Sequence, residues 1–404
     1  MNVLVDARPL VDADSRGVAA VVFDWLQRIV DQTEVNFVFV TTGWNIPKLP
    51  DPFRTHPRVT HAHIRMPNKL WSGLSMLNLV SLDRVTTKKT GLAFDKLLIG
   101  NLGFTGRITI PYTLFLHDLS FLIEPSWFSF KSRLWHRAVH CKRLICRADT
   151  LICVSEVTKR DVKRMIRAWG VGRGAWEEKK IRIFTPRIRP TELLDSEFLH
   201  HAPRPTPHAP FILAMGGGNT RKNIRTAILA VEQLRKETKY ANLKLVIVGA
   251  PKRECRSEER VSPVASLDSV ASAKESAKGE GARSEFIFDA RDFIHSLLAP
   301  RSPACNASLI SACVAGRSLL APFSHITDLD LDTLYATASC FLYPSWYEGY
   351  GLPLHEAARF GCPCIASSTG ALPETAPTGT LFVPPSKPQL WVGALRDVLE
   401  EQHL

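Results

Sequence analysis

Glu348 and Glu356 bracket the short sequence Gly349-Tyr350-Gly351-Leu352-Pro353 on its way into an apolar helix pattern. Cys340–Pro344 is a short apolar run of strand type, Pro353 has the fixed φ suited to a first helical turn, and Gly361 and Pro363 are stop signals before a second apolar run at Cys364–Ala366. The loop Gly349–Leu352 therefore sits at a helix N-terminus, where unpaired N–H groups and the positive end of the dipole favour an anion. Two glycines allow close backbone approach, and two carboxylates nearby can accept hydrogen bonds from hydroxyls. A phosphate-binding loop flanked by hydroxyl-binding acids is the chemistry a nucleotide-sugar requires. The structural alternative is an ordinary capped helix carrying surface glutamates.

A second cluster is Gly216-Gly-Gly-Asn-Thr220-Arg221-Lys222-Asn223. Thr220 reads as the N-cap of a helix over Arg221–Lys236 whose inner face is Ile224, Ile228, Val231 and Leu234. Arg221 and Lys222 then occupy its first turn, where cations oppose the helix dipole by roughly 0.3–1 kcal/mol each. A bound diphosphate is the natural counterweight, with arginine clamping two oxygens and lysine acting as a point charge. His117-Asp118 ends an apolar strand, the side on which parallel sheets carry ligands. A histidine there is often structural, and Asp118 either orients the imidazole or caps the next segment. Asp328-Leu-Asp330-Leu-Asp332 has metal-site spacing but reads as the exposed, acid-rich start of a helix, so no metal is expected.

These groups need a scaffold of alternating strands and helices. Strands are expected at Asn2–Ala7, Val35–Thr41, Arg58–Met66, Lys96–Gly100, Tyr112–His117, Thr150–Ser155 and Ile181–Phe184. Helices are expected at Gly17–Asp31, Phe130–Arg147 and Glu156–Ala168. The alternation implies a parallel sheet covered on both faces. Residues 190–210 carry five prolines and read as a linker. The alternation restarts with Phe211–Met215 and Leu243–Val248. From about 252 to 283 the composition turns to Ser, Ala, Glu, Lys and Arg, a low-complexity insertion, and the stretch to 323 has no period. A helix at Asp328–Ala336 and another over Trp391–Glu400 follow. The expected domains are thus 1–189, a linker, and 211–404.

At 404 residues the chain is long enough for two cores. There is no signal-peptide pattern and no apolar run long enough to span a membrane. Nine scattered cysteines fit reduced thiols, and a cytoplasmic setting, better than a disulfide framework. The net charge is +12, and residues 131–190 alone hold 17 Lys and Arg against 5 Asp and Glu. That stretch reads either as solvated helix faces or as a footprint for an anionic surface, acidic lipid or a phosphate-bearing acceptor. No nucleic-acid-binding motif accompanies it.

The string Pro344-Ser345-Trp-Tyr-Glu348-Gly-Tyr-Gly351-Leu-Pro-Leu-His-Glu356-Ala357 resembles the signature of the retaining glycosyltransferases of family 4, the glycosyl transferases group 1. Asp6-Ala-Arg-Pro-Leu10, Tyr112–Leu119, Ala148–Asp161, Phe211–Ile224 and Thr369–Pro385 resemble other segments of that family, whose architecture is GT-B: α/β, two Rossmann-like parallel-sheet domains facing across a cleft. The resemblance implies sugar transfer from a nucleotide diphosphate donor to a glycan or lipid-linked acceptor hydroxyl, with retained anomeric configuration and no metal or cofactor. It implies catalytic roles for Glu348 and His117 against the donor sugar. Donor binding would fall to Glu356, Arg221, Lys222, Gly349, Tyr350, Gly351, Leu352 and Gly216, and to Gly17 in a loop closing over the phosphates. That loop, Ser15-Arg16-Gly17, has fewer glycines than the family's. Polysaccharide or glycolipid assembly at the inner face of a membrane is the setting implied, with peripheral contact through 131–190. A catalytically silent nucleotide-sugar or glycan-binding protein, or a nucleotide-sugar epimerase, would keep the same fold.

Overall fold

The computed structural model describes residues 1–11, 16–170, 181–188, 210–216, 219–249, 313–315, 318–323 and 328–401. The insertion expected at 252–283 and the linker at 190–209 lie outside these. Two compact units are present. The first comprises Met1–Pro190 with Tyr347–Leu352 and Thr369–Ala376. The second comprises Thr191–Trp346, Pro353–Ser368 and Pro377–Leu404.

The first unit is built on β1 (Asn2–Asp6), β2 (Asn36–Gly43), β3 (Val59–Arg65), β4 (Lys96–Ile99), β5 (Tyr112–Leu116), β6 (Thr150–Cys153) and β7 (Ile181–Ile183). They pair in parallel in the order β3-β2-β1-β4-β5-β6-β7. Strands buried on both faces are continuously apolar, as in Tyr112–Leu116, where every residue is buried. Alternate residues feed two cores. Leu4, Val38, Leu97 and Leu114 pack on one face, and Val3, Val5, Phe39, Leu98 and Phe115 on the other.

The second sheet contains β8 (Phe211–Met215), β9 (Lys244–Val248), β10 (Cys313–Ala315), β11 (Ser318–Phe323), β12 (Cys340–Tyr343), β13 (Cys364–Ser367) and β14 (Leu381–Val383). Its order is β10-β11-β9-β8-β12-β13-β14, parallel except for the β10–β11 edge pair. The aperiodic stretch before Phe323 thus supplies two strands, short ones at a sheet edge where no long repeat can show. The Ile224–Leu234 and Pro388–Glu401 helices pack over this sheet around Ala227, Val231, Trp391 and Leu395.

Four local expectations are corrected. Phe130–Arg147 is not one helix but two, Phe130–Ala138 and Cys141–Arg147, because His140 adopts φ 56, which a helix interior forbids. The Arg221–Lys236 helix starts later, at Ile224, and Thr220 is not its cap. Gly17 is expected both to start the Gly17–Asp31 helix and to lie in a loop over the phosphates; the helix is present as Arg16–Gln32, with Gly17 its exposed second residue and open space where a Cβ would point. Asp330 and Asp332 are buried rather than exposed, because Asp330, Asp332, Thr333, Leu334 and Tyr335 of the Asp328–Thr337 helix are all covered.

Candidate functional site

In an open parallel sheet, ligands bind beyond the carboxyl ends of the strands where the order reverses direction. In the second sheet that point lies between β8 and β12, and the two loops leaving these strands carry the basic pair and the start of the signature. Thr220–Lys222 forms a 3-10 turn whose N-cap is Asn219, with the Asn219 side chain accepting from the Arg221 N–H at 2.9 Å. The Arg221 carbonyl accepts from the Trp346 N–H at 2.8 Å, tying the β8 loop to the β12 loop. Asn223 completes the tie. Held in the left-handed region at φ 50, it donates through Nδ2 to the Pro344 carbonyl at 3.0 Å and the Pro385 carbonyl at 3.2 Å, and accepts from the Thr226 hydroxyl at 3.0 Å. Gly216, at the end of β8, sits where a Cβ would press into the Ile224 side chain.

Lys222 has a defined seat. Its Nζ donates to the Tyr343 hydroxyl at 2.8 Å and lies 4.9 Å from the centre of that ring. Tyr343 is buried and stacks on Phe341, which meets Tyr335 edge-on. The Tyr335 hydroxyl donates to Glu356 Oε2 at 3.1 Å, so the carboxylate too is positioned by a buried ring. Glu356 lies on the Leu352–Arg359 helix.

Glu348, Gly349, Tyr350, Gly351 and Leu352 belong to the first unit, held against the segment Thr369–Ala376. The Ala371 N–H donates to the Glu348 carbonyl at 3.0 Å, and the Thr375 hydroxyl donates to the Tyr350 carbonyl. Gly370 has φ 62, and a Cβ there would meet the Glu348 backbone, so glycine is required twice over. Gly349 abuts the His117 carbonyl so closely that no Cβ fits, and Gly351 has φ 101. Tyr350 and Leu352 pack against the core around Val5 and Phe115. The Tyr347 hydroxyl donates to Asp161 at 2.5 Å, and Glu374 accepts from the N–H groups of Glu156 and Val157 at 2.5 and 3.1 Å, capping the Glu156–Ala168 helix. Glu348 itself is buried.

His117 follows β5. Burial lowers its pKa, with the Gly100 carbonyl and Asp118 opposing, and the imidazole is neutral at pH 7. Its Nε2 lies 2.9 Å from the Gly100 carbonyl, which can only accept, so Nε2 carries the proton and Nδ1 is the acceptor. Asp118 caps the next turn, accepting from the Ser120 N–H and hydroxyl at 2.9 and 2.7 Å. The first sheet reverses between β1 and β4, and near that point a cavity of about 290 Å³ is lined by Arg8, Thr42, Asn68, Trp71, Ser72 and Phe104. Arg8 is clamped by Asp6 through two bonds of 2.8 and 2.6 Å, with a third to the Phe104 carbonyl.

Residues 323–404 match the family model described as glycosyl transferases group 1. This segment belongs to that family. Within curated proteins, 62 residues are 44% identical to the O-antigen chain mannosyltransferase B of Escherichia coli, covering 15% of this chain and 16% of that one. Another 51-residue match, 47% identical, is to an MMP alpha-(1->4)-mannosyltransferase of Mycolicibacterium hassiacum, covering 13% and 12%. The matched stretch is therefore under one fifth of either relative's length. Solved structures share the fold over nearly the whole chain. WaaG, a glycosyltransferase involved in lipopolysaccharide biosynthesis, aligns with TM-score 0.57 at 14% identity over 99% of this chain and 90% of its own. The sucrose-phosphate synthase of Thermosynechococcus elongatus aligns with TM-score 0.56 at 16% identity, covering 99% and 90%. The architecture is GT-B.

The group 1 segment holds Glu348, Glu356, Tyr335 and Tyr343, while Arg221 and Lys222 join it through the β8 loop. Several positioning residues were absent from the sequence expectation. Asn223 carried a signal, since asparagine is among the few residues at ease with positive φ. Tyr335 and Tyr343 carried none, because a buried tyrosine in a strand or helix reads as core until its hydroxyl partner is seen. Glu374 likewise reads as a surface acid from its spacing alone.

Proposed function

We propose that this chain is a retaining glycosyltransferase that moves a hexose from a nucleoside diphosphate to an acceptor hydroxyl in polysaccharide or glycolipid assembly. The observation that carries the proposal is the fixed Arg221–Lys222 turn at the switch point of the second sheet, tied to the first residues of the group 1 signature. Lys222 and Arg221 neutralise the diphosphate as charge develops on it, which is transition-state stabilisation by preorganised cations. Glu356, oriented by Tyr335, accepts from the ribose hydroxyls. His117 presents Nδ1 to a hydroxyl of the donor sugar, and Glu348 orients the sugar and favours positive charge at its anomeric carbon. The bond from that carbon to the diphosphate oxygen breaks, the acceptor oxygen bonds on the same face, and the leaving diphosphate takes the acceptor's proton. No metal or cofactor enters this scheme.

The two curated relatives named above are mannosyltransferases, which favours mannose as the transferred sugar. Arg8 is already neutralised by Asp6, and the aromatic wall of Trp71 and Phe104 suits a sugar ring, so the cavity beside them favours a neutral glycan end over an anionic one. The test is nucleoside diphosphate release from GDP-mannose, UDP-glucose and related donors, with and without neutral oligosaccharide acceptors. Acceptor-dependent release with a new α-linked product supports the proposal. Donor binding without turnover would make this a silent binding protein, and an isomerised donor sugar would make it an epimerase; either result refutes the transferase.

A further inference from the structure

Glu348 stands in a loop that has little order of its own. Residues 344–351 join β12 to the Leu352–Arg359 helix without a strand or helix between them. Gly349 and Gly351 follow Glu348 closely, and glycine gives up more backbone freedom on ordering than any other residue. A carboxylate that faces a reacting carbon tolerates little wandering, since a misplacement of about 1 Å costs on the order of 100-fold in rate. The loop is therefore fixed from outside.

The chain enters the first unit at Tyr347, one residue before Glu348. Tyr347 is buried, and its hydroxyl donates to Asp161 at 2.5 Å. Asp161 lies on the Glu156–Ala168 helix, which Val162 and Ile166 seat in the first core. One turn back, on the same side of that helix, is Val157. The N–H groups of Val157 and Glu156 are taken by the two carboxylate oxygens of Glu374, at 3.1 and 2.5 Å. Glu374 belongs to the short Leu372–Thr375 helix, and Ala371 just before it donates its N–H to the Glu348 carbonyl at 3.0 Å. These contacts form a closed circuit that returns to its starting point. Glu348 is held on one side through the preceding side chain and on the other through its own carbonyl. The two supports differ in strength. The Glu374 contacts are exposed, so water can stand in for that carboxylate. The Tyr347–Asp161 bond is partly buried, and a hydroxyl donating to a carboxylate makes the shorter, stronger kind of hydrogen bond.

We propose that Asp161 is a positioning residue for Glu348. It does not touch the sugar; by holding the Tyr347 hydroxyl it sets where the Glu348 carboxylate stands. This rests on the role given to Glu348 above, and two measurements on the full chain separate the one from the other.

The first is amide hydrogen exchange with no sugar or nucleotide present, read at the Ala371 N–H and across residues 346–352. Tyr347→Phe, which removes only the hydroxyl, and Asp161→Ala should each speed exchange there about tenfold. Asp161→Asn keeps an acceptor oxygen and should stay near wild type. The second is turnover on whichever donor of the panel reacts. Tyr347→Phe and Asp161→Ala should lower kcat by about tenfold to 100-fold, with donor KM within about twofold, because the groups assigned to nucleotide binding are untouched. Asp161→Asn should recover most of the rate. In a Glu348→Ala background, Asp161→Ala should lower the residual rate no further, since it acts through a carboxylate already removed. Should Asp161→Ala fail to fold, Tyr347→Phe tests the same bond from its other end. Wild-type exchange in Tyr347→Phe overturns the proposal whatever the chemistry proves to be. So does an unchanged kcat in that variant, a rise in donor KM that accounts for the loss, or an equal loss from Asp161→Ala with and without Glu348. If no donor turns over, the transferase reading fails by itself, and exchange alone decides whether Asp161 holds the Glu348 loop.

Discussion

Asn223 joins the basic turn to the signature loop, and its replacement should be measurable as two separable losses. Its side chain makes three hydrogen bonds, to the Pro344 and Pro385 carbonyls and from the Thr226 hydroxyl, while its backbone sits at φ 50, ψ 38. Pro344 and Pro385 are buried, so their carbonyls find no ready substitute donor. Taking about 1 kcal/mol per lost bond and about 1 kcal/mol for alanine in the left-handed region, Asn223→Ala destabilises the second unit by roughly 3–4 kcal/mol. Asn223→Gly removes the same bonds but not the backbone freedom, so it costs about 1 kcal/mol less. Asn223→Asp keeps the shape and turns an oxygen toward two carbonyls, so its cost is at least that of alanine. Native-state hydrogen exchange at the amides of β8 and β12 reads this unit specifically, and calorimetry with free GDP and UDP reads the basic turn. Nucleotide affinity should fall in all three variants, because Arg221 and Lys222 lose their anchor to the β12 loop. Alanine and glycine variants with equal exchange rates, both within about 0.5 kcal/mol of wild type, would refute the hydrogen-bond and backbone reasoning together.

Tyr335→Phe should weaken nucleotide binding several-fold by releasing Glu356, and Glu356→Ala should weaken it further; titration calorimetry on both checks the order. Lys222→Ala should lower kcat by about 100-fold if that cation meets developing charge, with Tyr343→Phe intermediate because the ring remains; steady-state rates on the donor of that panel that turns over decide. Burial lowers the pKa of His61, His63, His117 and His136 below the ordinary histidine value. The unfolded chain therefore binds protons first as pH falls, and stability should drop from about pH 6.5 downward, with little change above it. Thermal midpoints across that range check the sign, and a midpoint that rises on acidification contradicts it.

Much of the framework was legible because parallel strands buried on both faces are continuous apolar runs, and because Ser155 before Glu156–Ala168 is an ordinary cap, accepting from the Thr158 N–H at 3.1 Å. Other features had no local signal. The break at His140 carries neither glycine nor proline; its side chain reaches the Met76 carbonyl, 64 residues away in the chain. The helices Asn68–Met76 and Leu82–Thr90 lie in a stretch of mixed polarity interrupted by Ser72, Gly73, Ser75, Asn78 and Ser81, so neither period stood out. Asp330 and Asp332 read as exposed because burial of an acid depends on partners elsewhere in the fold. The assignment of Glu348–Leu352 to the first unit was equally hidden. It rests on Gly370, Ala371 and Thr375, some twenty residues downstream, and on core contacts from strands near the start of the chain.

The altered helix start also changes the physics assigned to the basic pair. Had Arg221 and Lys222 filled the first turn of the Ile224–Leu234 helix, their repulsion by its dipole would be the reason for a bound anion. They precede that helix instead, in a turn whose Arg221 carbonyl and Lys222 side chain are already engaged. What the structure provides is order. Fixing a lysine side chain costs up to about 2 kcal/mol of rotamer entropy. A hydrogen bond to Tyr343 contributes about 1 kcal/mol and the cation–π contact about 0.5–1 kcal/mol, which nearly offset it. Lys222 is therefore placed at small net cost during folding, and a ligand phosphate need not order it again. On this argument Tyr343 acts on affinity and rate without touching the ligand. Replacing Lys222 by arginine, which keeps the charge but not the fit to Tyr343, should then recover less of the rate than charge conservation alone would suggest.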